Sequence, residues 1–206
     1  MKFYLSSYGI GDEAEKLRTL LPADKRKIGY IPNALDFSDV DVDSCQEHIN
    51  KGVIALQDLD YDVELLDLRD YFQEPEKLEK KLEELDGVFV NGGNTFILRQ
   101  AMKLSGFDVL FKKLLMRDDF LYSGYSAGIC VLAKSLKSLK YVDDHTDRPY
   151  GINTVWEGLG YLDYIILPHF NSDHPESGDI AKVVIYCKEH NIAYKTLSDG
   201  EVIILE

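Results

Sequence analysis

Short apolar runs alternate along this chain with segments in which apolar residues recur at helical spacing. Strands buried on both faces are apolar throughout, whereas a covering helix is apolar on one stripe, so the alternation predicts a parallel sheet clothed by helices on both sides. The first run is 3–5. Ala14, Leu17 and Leu21 then mark a helix face, and 28–31 is the second strand, closed by Pro32 and Asn33. Ile49, Val53 and Leu56 fall at i, i+4 and i+7, with Ser44 as the expected N-cap, and the strand 63–66 follows. Leu78, Leu82 and Leu85 repeat that spacing behind Pro75, whose fixed φ suits a first helical turn, and lead into 87–90. Helical period next runs over 95–116 with a break at Ser105-Gly106, feeds the apolar run 120–122, and resumes over 129–133. Residues 137–160 have weak periodicity and several turn formers, which reads as a loop-rich insertion of the kind that builds active-site walls. The strand 164–167 comes next. Ile180, Val183, Val184 and Cys187 define the last helix, and 192–196 and 202–205 close the chain as strands. The expected fold is a three-layer α/β/α sandwich with a mostly parallel sheet, formed by one domain over 1–206.

Charge narrows the partners. With 23 basic and 36 acidic residues the chain carries −13, a field that repels phosphate backbones and anionic lipid surfaces, so neither nucleic acid nor membrane is expected as a partner. An apolar fraction of 45% with 29% charged residues is that of an ordinary folded domain. Cys45, Cys130 and Cys187 are odd in number, far apart and without a C-x-x-C pair, which argues against a disulfide framework and a zinc site. The first residues are too short an apolar stretch for a signal peptide, and nowhere do 18 apolar residues run together. Cytoplasmic residence is the expectation, and a homodimer is an assembly such a domain allows.

Gly124-Tyr125-Ser126-Ala127-Gly128 matches G-x-S-x-G between an apolar strand and a helical stretch, the context a nucleophile elbow requires. A tight strand-to-helix turn pushes Ser126 out of the sheet, and small residues on either side let the backbone pass. The following helix start lowers the cost of negative charge there, with the Ala127 N–H placed as one oxyanion donor. A serine that merely caps a helix after a glycine turn is the competing reading. A second turn, Asn91-Gly92-Gly93-Asn94-Thr95, also follows an apolar strand and opens a helix. If its strand neighbours the elbow strand, Gly92 or Gly93 supplies the second donor; otherwise it is a turn with an Asn or Thr cap. It is no phosphate loop, since neither G-x-x-x-x-G-K nor G-x-G-x-x-G is present.

Serine attack needs a base, and His169 in Leu167-Pro168-His169-Phe170 stands directly after an apolar strand, where open α/β sheets place their sites. His48 and His190, on helices with charged neighbours, read as solvated, while His145 and His174 lie in loops and stay open. Asp199, at the turn between the last two strands, is one candidate to orient the imidazole.

Taken together, Asn91-Gly92-Gly93-Asn94-Thr95-Phe96, the elbow and Pro168-His169-Phe170 resemble the signature blocks of the peptidase E (aspartyl dipeptidase) family of serine peptidases. The cyanophycinases form a related branch, and the family fold resembles class I glutamine amidotransferases, which use cysteine where this chain has Ser126. The resemblance implies Ser126 as nucleophile, His169 as general base, Asp199 at the site of a family glutamate one methylene longer, and Gly93, or else Gly92, with Ala127 as oxyanion donors. The family's aspartyl dipeptidases carry an arginine shortly after the histidine, suited to a substrate carboxylate; residues 171–182 here contain none, which speaks against an Asp-X preference. The family also has an aspartate after the elbow helix, and Asp143, Asp144 and Asp147 crowd that region, either as the orienting carboxylate or as surface acidity. The order Ser126, His169, Asp199 separates this reading from an α/β-hydrolase, where the acid precedes the histidine.

The expected function is a serine peptidase hydrolysing short peptides through an acyl-enzyme on Ser126, with no metal or cofactor. Its alternatives are an amidase or esterase, a cyanophycinase-like hydrolase, or a binding or regulatory module with Ser126 unused. Two other patterns carry less. Asp39, Asp41 and Asp43 alternate like a calcium loop but lack its glycine and bidentate glutamate, so they read as a solvated loop, and Cys130, one turn after Ser126, reads as a buried thiol.

Overall fold

The computed structural model of the chain describes residues 1–39 and 41–206. In order, its elements are β1 (Lys2–Ser6), α1 (Ala14–Leu20), β2 (Lys27–Ile31), α2 (Val42–Gln57), β3 (Asp62–Leu65), α3 (Pro75–Glu83), β4 (Gly87–Val90), α4 (Thr95–Ser105), α5 (Phe107–Leu114), β5 (Leu121–Tyr125), α6 (Ala127–Cys130), β6 (Ile165–Leu167), α7 (Ser177–Glu189), β7 (Tyr194–Thr196) and β8 (Val202–Leu205). Six strands form one sheet in the order β3-β2-β4-β5-β1-β8. Only β8, beside β1, runs antiparallel. β6 and β7 pair in parallel apart from it.

The sheet lies between two apolar layers. Phe3, Leu5, Ile31, Val88, Val90 and Tyr122 point to one face, where α3, α4 and α5 bury Leu78, Met102 and Phe111 against them. Their sequence neighbours Tyr4, Tyr30, Phe89 and Leu121 point to the other, covered by Leu17 just inside α1 and Leu56 of α2. Alternate residues therefore serve opposite cores, which is why these strands read as short apolar stretches rather than as an apolar-polar alternation; each fully buried side chain of this size contributes about 1.5–3 kcal/mol. The break foreseen after Ser105 is at Gly106, where a left-handed φ of 78° ends α4.

Two local expectations are corrected. The N-cap of α2 is Asp41, not Ser44: its carboxylate accepts from the N–H groups of Asp43 and Ser44, which places Ser44 inside the first turn. Asp41 and Asp43 thus belong to a helix start, whereas they had the appearance of a solvated loop. The helix after the elbow is also shorter than 129–133, because the N–H groups of Leu159 and Tyr161 bond to the carbonyls of Val131 and Leu132 at 2.7 and 3.0 Å and draw the chain out of helix.

Loop 137–160 braces α4 from behind. Asp143 accepts the Thr95 N–H at 2.9 Å, the Asn94 amide donates to the Asp144 carbonyl at 2.8 Å, and Asp147 bonds Ser38. Surface acidity does not describe Asp143, whose carboxyl burial pushes up to about 7. The folded state therefore keeps this proton to higher pH than the unfolded chain, so the group's contribution to stability is greatest below the ordinary carboxyl value and is lost as pH rises towards 7. Asp143→Asn is expected to flatten the fall in stability between pH 4 and 8, recovering up to roughly 1.4 kcal/mol per pH unit where wild type falls most steeply. Urea unfolding at stepped pH reads this; parallel curves for the two proteins would refute it.

Candidate active site

β5 lies inside the sheet between β4 and β1, and the chain leaves its carboxyl end at Ser126 with φ 47° and ψ −115°. A non-glycine residue held there stores about 1–3 kcal/mol, and the surrounding packing keeps it in place. Gly128 makes the turn possible: a Cβ there would lie 2.3 Å from the Val90 carbonyl oxygen of the neighbouring strand. Because α6 is a single turn, its aligned dipole is small, and what this turn can offer a negative charge at Ser126 is individual unpaired N–H groups.

Those groups come from two turns. The Ala127 N–H heads α6, and β4 pairs with β5 in a register, Val90 beside Gly124, that brings Gly92 and Gly93 alongside Ser126. Buried Asn91 orients this second turn. Its amide donates to the Gly92 carbonyl at 2.8 Å, while its own oxygen accepts from the hydroxyls of Tyr30 and Tyr125. In a trans peptide, fixing the Gly92 carbonyl on one side directs the Gly93 N–H to the other. The Gly92 N–H is turned towards the Tyr125 hydroxyl, whereas among the described residues the Gly93 N–H has no protein acceptor. Gly93 adopts φ 135°, and a Cβ on it would meet the Ala34 carbonyl oxygen at 2.4 Å. Of the two glycines left open by the sequence, Gly93 is the one whose N–H is directed away from the fixed Gly92 carbonyl.

His169 follows β6, almost fully buried, with its backbone N–H on the Ser7 hydroxyl at 2.9 Å. Its Nδ1 is 2.7 Å from Asp199 Oδ1, and the Ser7 hydroxyl donates to that same oxygen at 2.9 Å. A proton on Nδ1 leaves Nε2 as the acceptor, the tautomer a general base needs. Asp199 thus reaches the ring despite its short side chain, while Asp143, Asp144 and Asp147 are engaged elsewhere. Burial holds the imidazole below its ordinary pKa, against the hydrogen bond it donates to Asp199, which raises it. Burial therefore favours the neutral ring over the imidazolium.

Ser126 and His169 line one cleft of about 190 Å³ with Tyr8, His48, Tyr125, His174 and Glu176. No hydrogen bond joins Ser126 to His169 among the described residues; such contacts commonly tighten when substrate binds. None of the lining residues comes from 137–160, so the expected wall is supplied instead by the segment after His169 and by α2.

Several of these residues carry no clear signal in the sequence. His48 is not a solvated helix residue: it is half-buried and its Nε2 contacts the Tyr125 hydroxyl at 2.7 Å. His174 stacks on His169 with ring centres 3.7 Å apart and planes at 10°. His190 is exposed as expected, and Cys130 is a buried thiol whose pKa burial raises. His169, His174 and Glu176 place donor atoms within 4.8 Å of one another, the one such trio among the described residues. Imidazole lone pairs lie in the ring plane, so two parallel stacked rings aim theirs side by side rather than at a common ion. One of the rings is also committed to Asp199.

A model of peptidase family S51 matches residues 9–206. An uncharacterized peptidase of Listeria monocytogenes is 29% identical over 147 residues, which cover 71% of this chain and 67% of that protein. Peptidase E of Streptomyces coelicolor is 34% identical over 97 residues, covering 47% of this chain and 37% of its own. Among solved structures, a Listeria monocytogenes protein assigned to peptidase E superposes with a TM-score of 0.76 at 23% identity, covering 100% of this chain and 98% of that one. The fold is that of peptidase E and is class I glutamine amidotransferase-like. No helix among the described residues is long and apolar enough to cross a membrane. Because the family match runs unbroken from the first loop through the elbow and His169 to the final strand, the chain belongs to peptidase family S51 and is a peptidase.

Proposed function

We propose that this peptidase is a serine-type, dipeptidase E-like enzyme that hydrolyses short peptides, with 1–206 acting as one catalytic unit in the cytoplasm. The observation that carries the reading is the 2.7 Å bond between His169 Nδ1 and Asp199, on a cleft shared with a strained Ser126. Ser126 Oγ attacks the scissile carbonyl while His169 Nε2 takes its proton. The oxyanion is met by the N–H groups of Gly93 and Ala127. His169 then protonates the leaving amine, and water, activated by the same imidazole, releases the acyl group. No step calls on a metal. The cleft of about 190 Å³ has room for a residue and its scissile bond, and the adjoining cleft of about 250 Å³ shares Tyr8, His48 and Tyr125 with it.

A fluorophosphonate probe is expected to add to Ser126, seen as a single mass increment on the elbow peptide, and to be slowed by hydrolysable dipeptides. A panel of dipeptides, amides and simple esters should show turnover of dipeptides. Failure of both labelling and dipeptide turnover would sink the serine peptidase reading, and preferential ester turnover would favour an esterase.

A further inference from the structure

Among the described residues, Glu176 is the one acidic residue lining the cleft that holds Ser126 and His169, and no lysine or arginine lines it beside Glu176. It stands half-buried just before α7, and its carboxylate lies within 4.8 Å of ring nitrogens of both His169 and His174. The side chain does not cap α7; only its backbone is engaged, the N–H with His174 Nδ1 at 3.3 Å and the carbonyl accepting from the Asp179 and Ile180 N–H groups at 2.9 Å. Among the described residues no lysine or arginine is paired with it. Burial pushes its pKa up, and the charged groups that act on it, Asp179 and Asp199, are acids that push the same way. Lys51 lines only the adjoining cleft. A partly desolvated carboxylate without a counter-charge is costly until a positive group arrives. The surrounding charge of −13 attracts such groups.

We propose that Glu176 is a specificity-determining residue that selects peptides bringing an ammonium or guanidinium group beside the scissile bond, and that it disfavours acidic ones. The proposal rests on the peptidase reading above and deepens it by naming a substrate class. The cation comes from the residue that supplies the scissile carbonyl, through either its side chain or its free amino end. Bound there, it takes the place of the missing counter-charge without disturbing the Asp199 face of His169, since Asp199 holds Nδ1. An acidic group in the same place meets a second carboxylate at low dielectric, which is the repulsive half of the selection.

Two measurements test this. In the first, butylguanidinium and butylammonium are titrated into wild type and Glu176→Gln while the imidazole proton resonances of His169 and His174 are followed, with butylurea as the neutral control. The cations should shift both rings in wild type and bind at least five-fold more weakly to the variant. In the second, kcat/KM is compared for lysyl- and arginyl-alanine against norleucyl- and citrullyl-alanine, and for each peptide against its N-acetyl form. At least one cationic member should lead by ten-fold or more in wild type, lose that lead in Glu176→Gln, and yield to aspartyl-alanine in Glu176→Lys. Equal cation affinity in wild type and Glu176→Gln, a charge preference that survives Glu176→Gln, or aspartyl-alanine as the best wild-type substrate would each overturn the proposal. Thermal melting checks that both variants fold. If no peptide is turned over, the peptidase reading fails by itself, and the imidazole titration still decides whether Glu176 holds a cation.

Discussion

Ser126→Ala is expected to lower kcat for dipeptide hydrolysis at least ~10⁴-fold and to abolish fluorophosphonate labelling while leaving the fold intact. The size of the effect follows from the covalent route. Without Oγ there is no acyl-enzyme, and what remains is water attack helped by the oxyanion donors of Gly93 and Ala127. Stability should not fall with activity: alanine removes a hydroxyl that bonds no other described side chain, at a position whose φ of 47° strains either residue alike. Cys130→Ala is the matched control, one helical turn on. Its thiol is buried and bonded to the Ile166 carbonyl at 3.4 Å, so the rate should stay at the wild-type level. Substrate affinity measured by equilibrium binding should also survive Ser126→Ala, since the clefts that hold the peptide are untouched. Rate retained in Ser126→Ala would mean that Ser126 is not the nucleophile.

The elements that could be read in the sequence are those whose physics is local or sheet-like. β1, β2, β4 and β5 are buried on both faces, so each leaves a short apolar stretch, cut in β5 at Ser123-Gly124, and the elbow is marked by Gly128, which close approach to Val90 demands. His169 was legible because it ends an apolar strand. Residues reached only by tertiary folding were not. His48 has Glu47 and Lys51 near it in sequence, which suggests a solvated face; only the packing of α2 over Tyr125 turns its ring into the cleft. Ser7 is an unremarkable serine after β1 until residues more than 160 positions away arrive at its hydroxyl. Glu176 reads as an acid near a helix start, and nothing in its neighbours reveals that its carboxylate turns towards two histidines. Residues 137–160 were legible as irregular, but their bonds run to Thr95, Asn94 and Ser38, a brace with no periodic signature.

Asp199→Asn is expected to cost about 10³–10⁴ in kcat with little change in KM, because it acts on the base and not on the substrate. Asp199 Oδ1 receives both the His169 Nδ1 proton and the Ser7 hydroxyl proton, so one oxygen sets the imidazole tautomer and is itself held in place. An amide nitrogen turned towards His169 would offer a proton where an acceptor is needed, and the ring would move its own proton to Nε2, where it can no longer accept from Ser126. If the amide oxygen keeps its place, the tautomer survives but the charge that stabilises the imidazolium is gone. The pH profile separates this from a structural effect. The acid limb of kcat/KM reports His169 and should lie below the ordinary imidazole value, because burial outweighs the raising influence of Asp199. Activity is then present above that limb and lost as pH falls through it. Removing the carboxylate deletes the raising contribution, so in Asp199→Asn the limb moves to still lower pH, whereas a merely loosened fold, letting water reach His169, would move it upwards. Asp199→Glu keeps the charge on a longer side chain and should recover part of the rate with the limb near its wild-type position. A limb that does not move in Asp199→Asn would show that the carboxylate next to His169 does not govern the base.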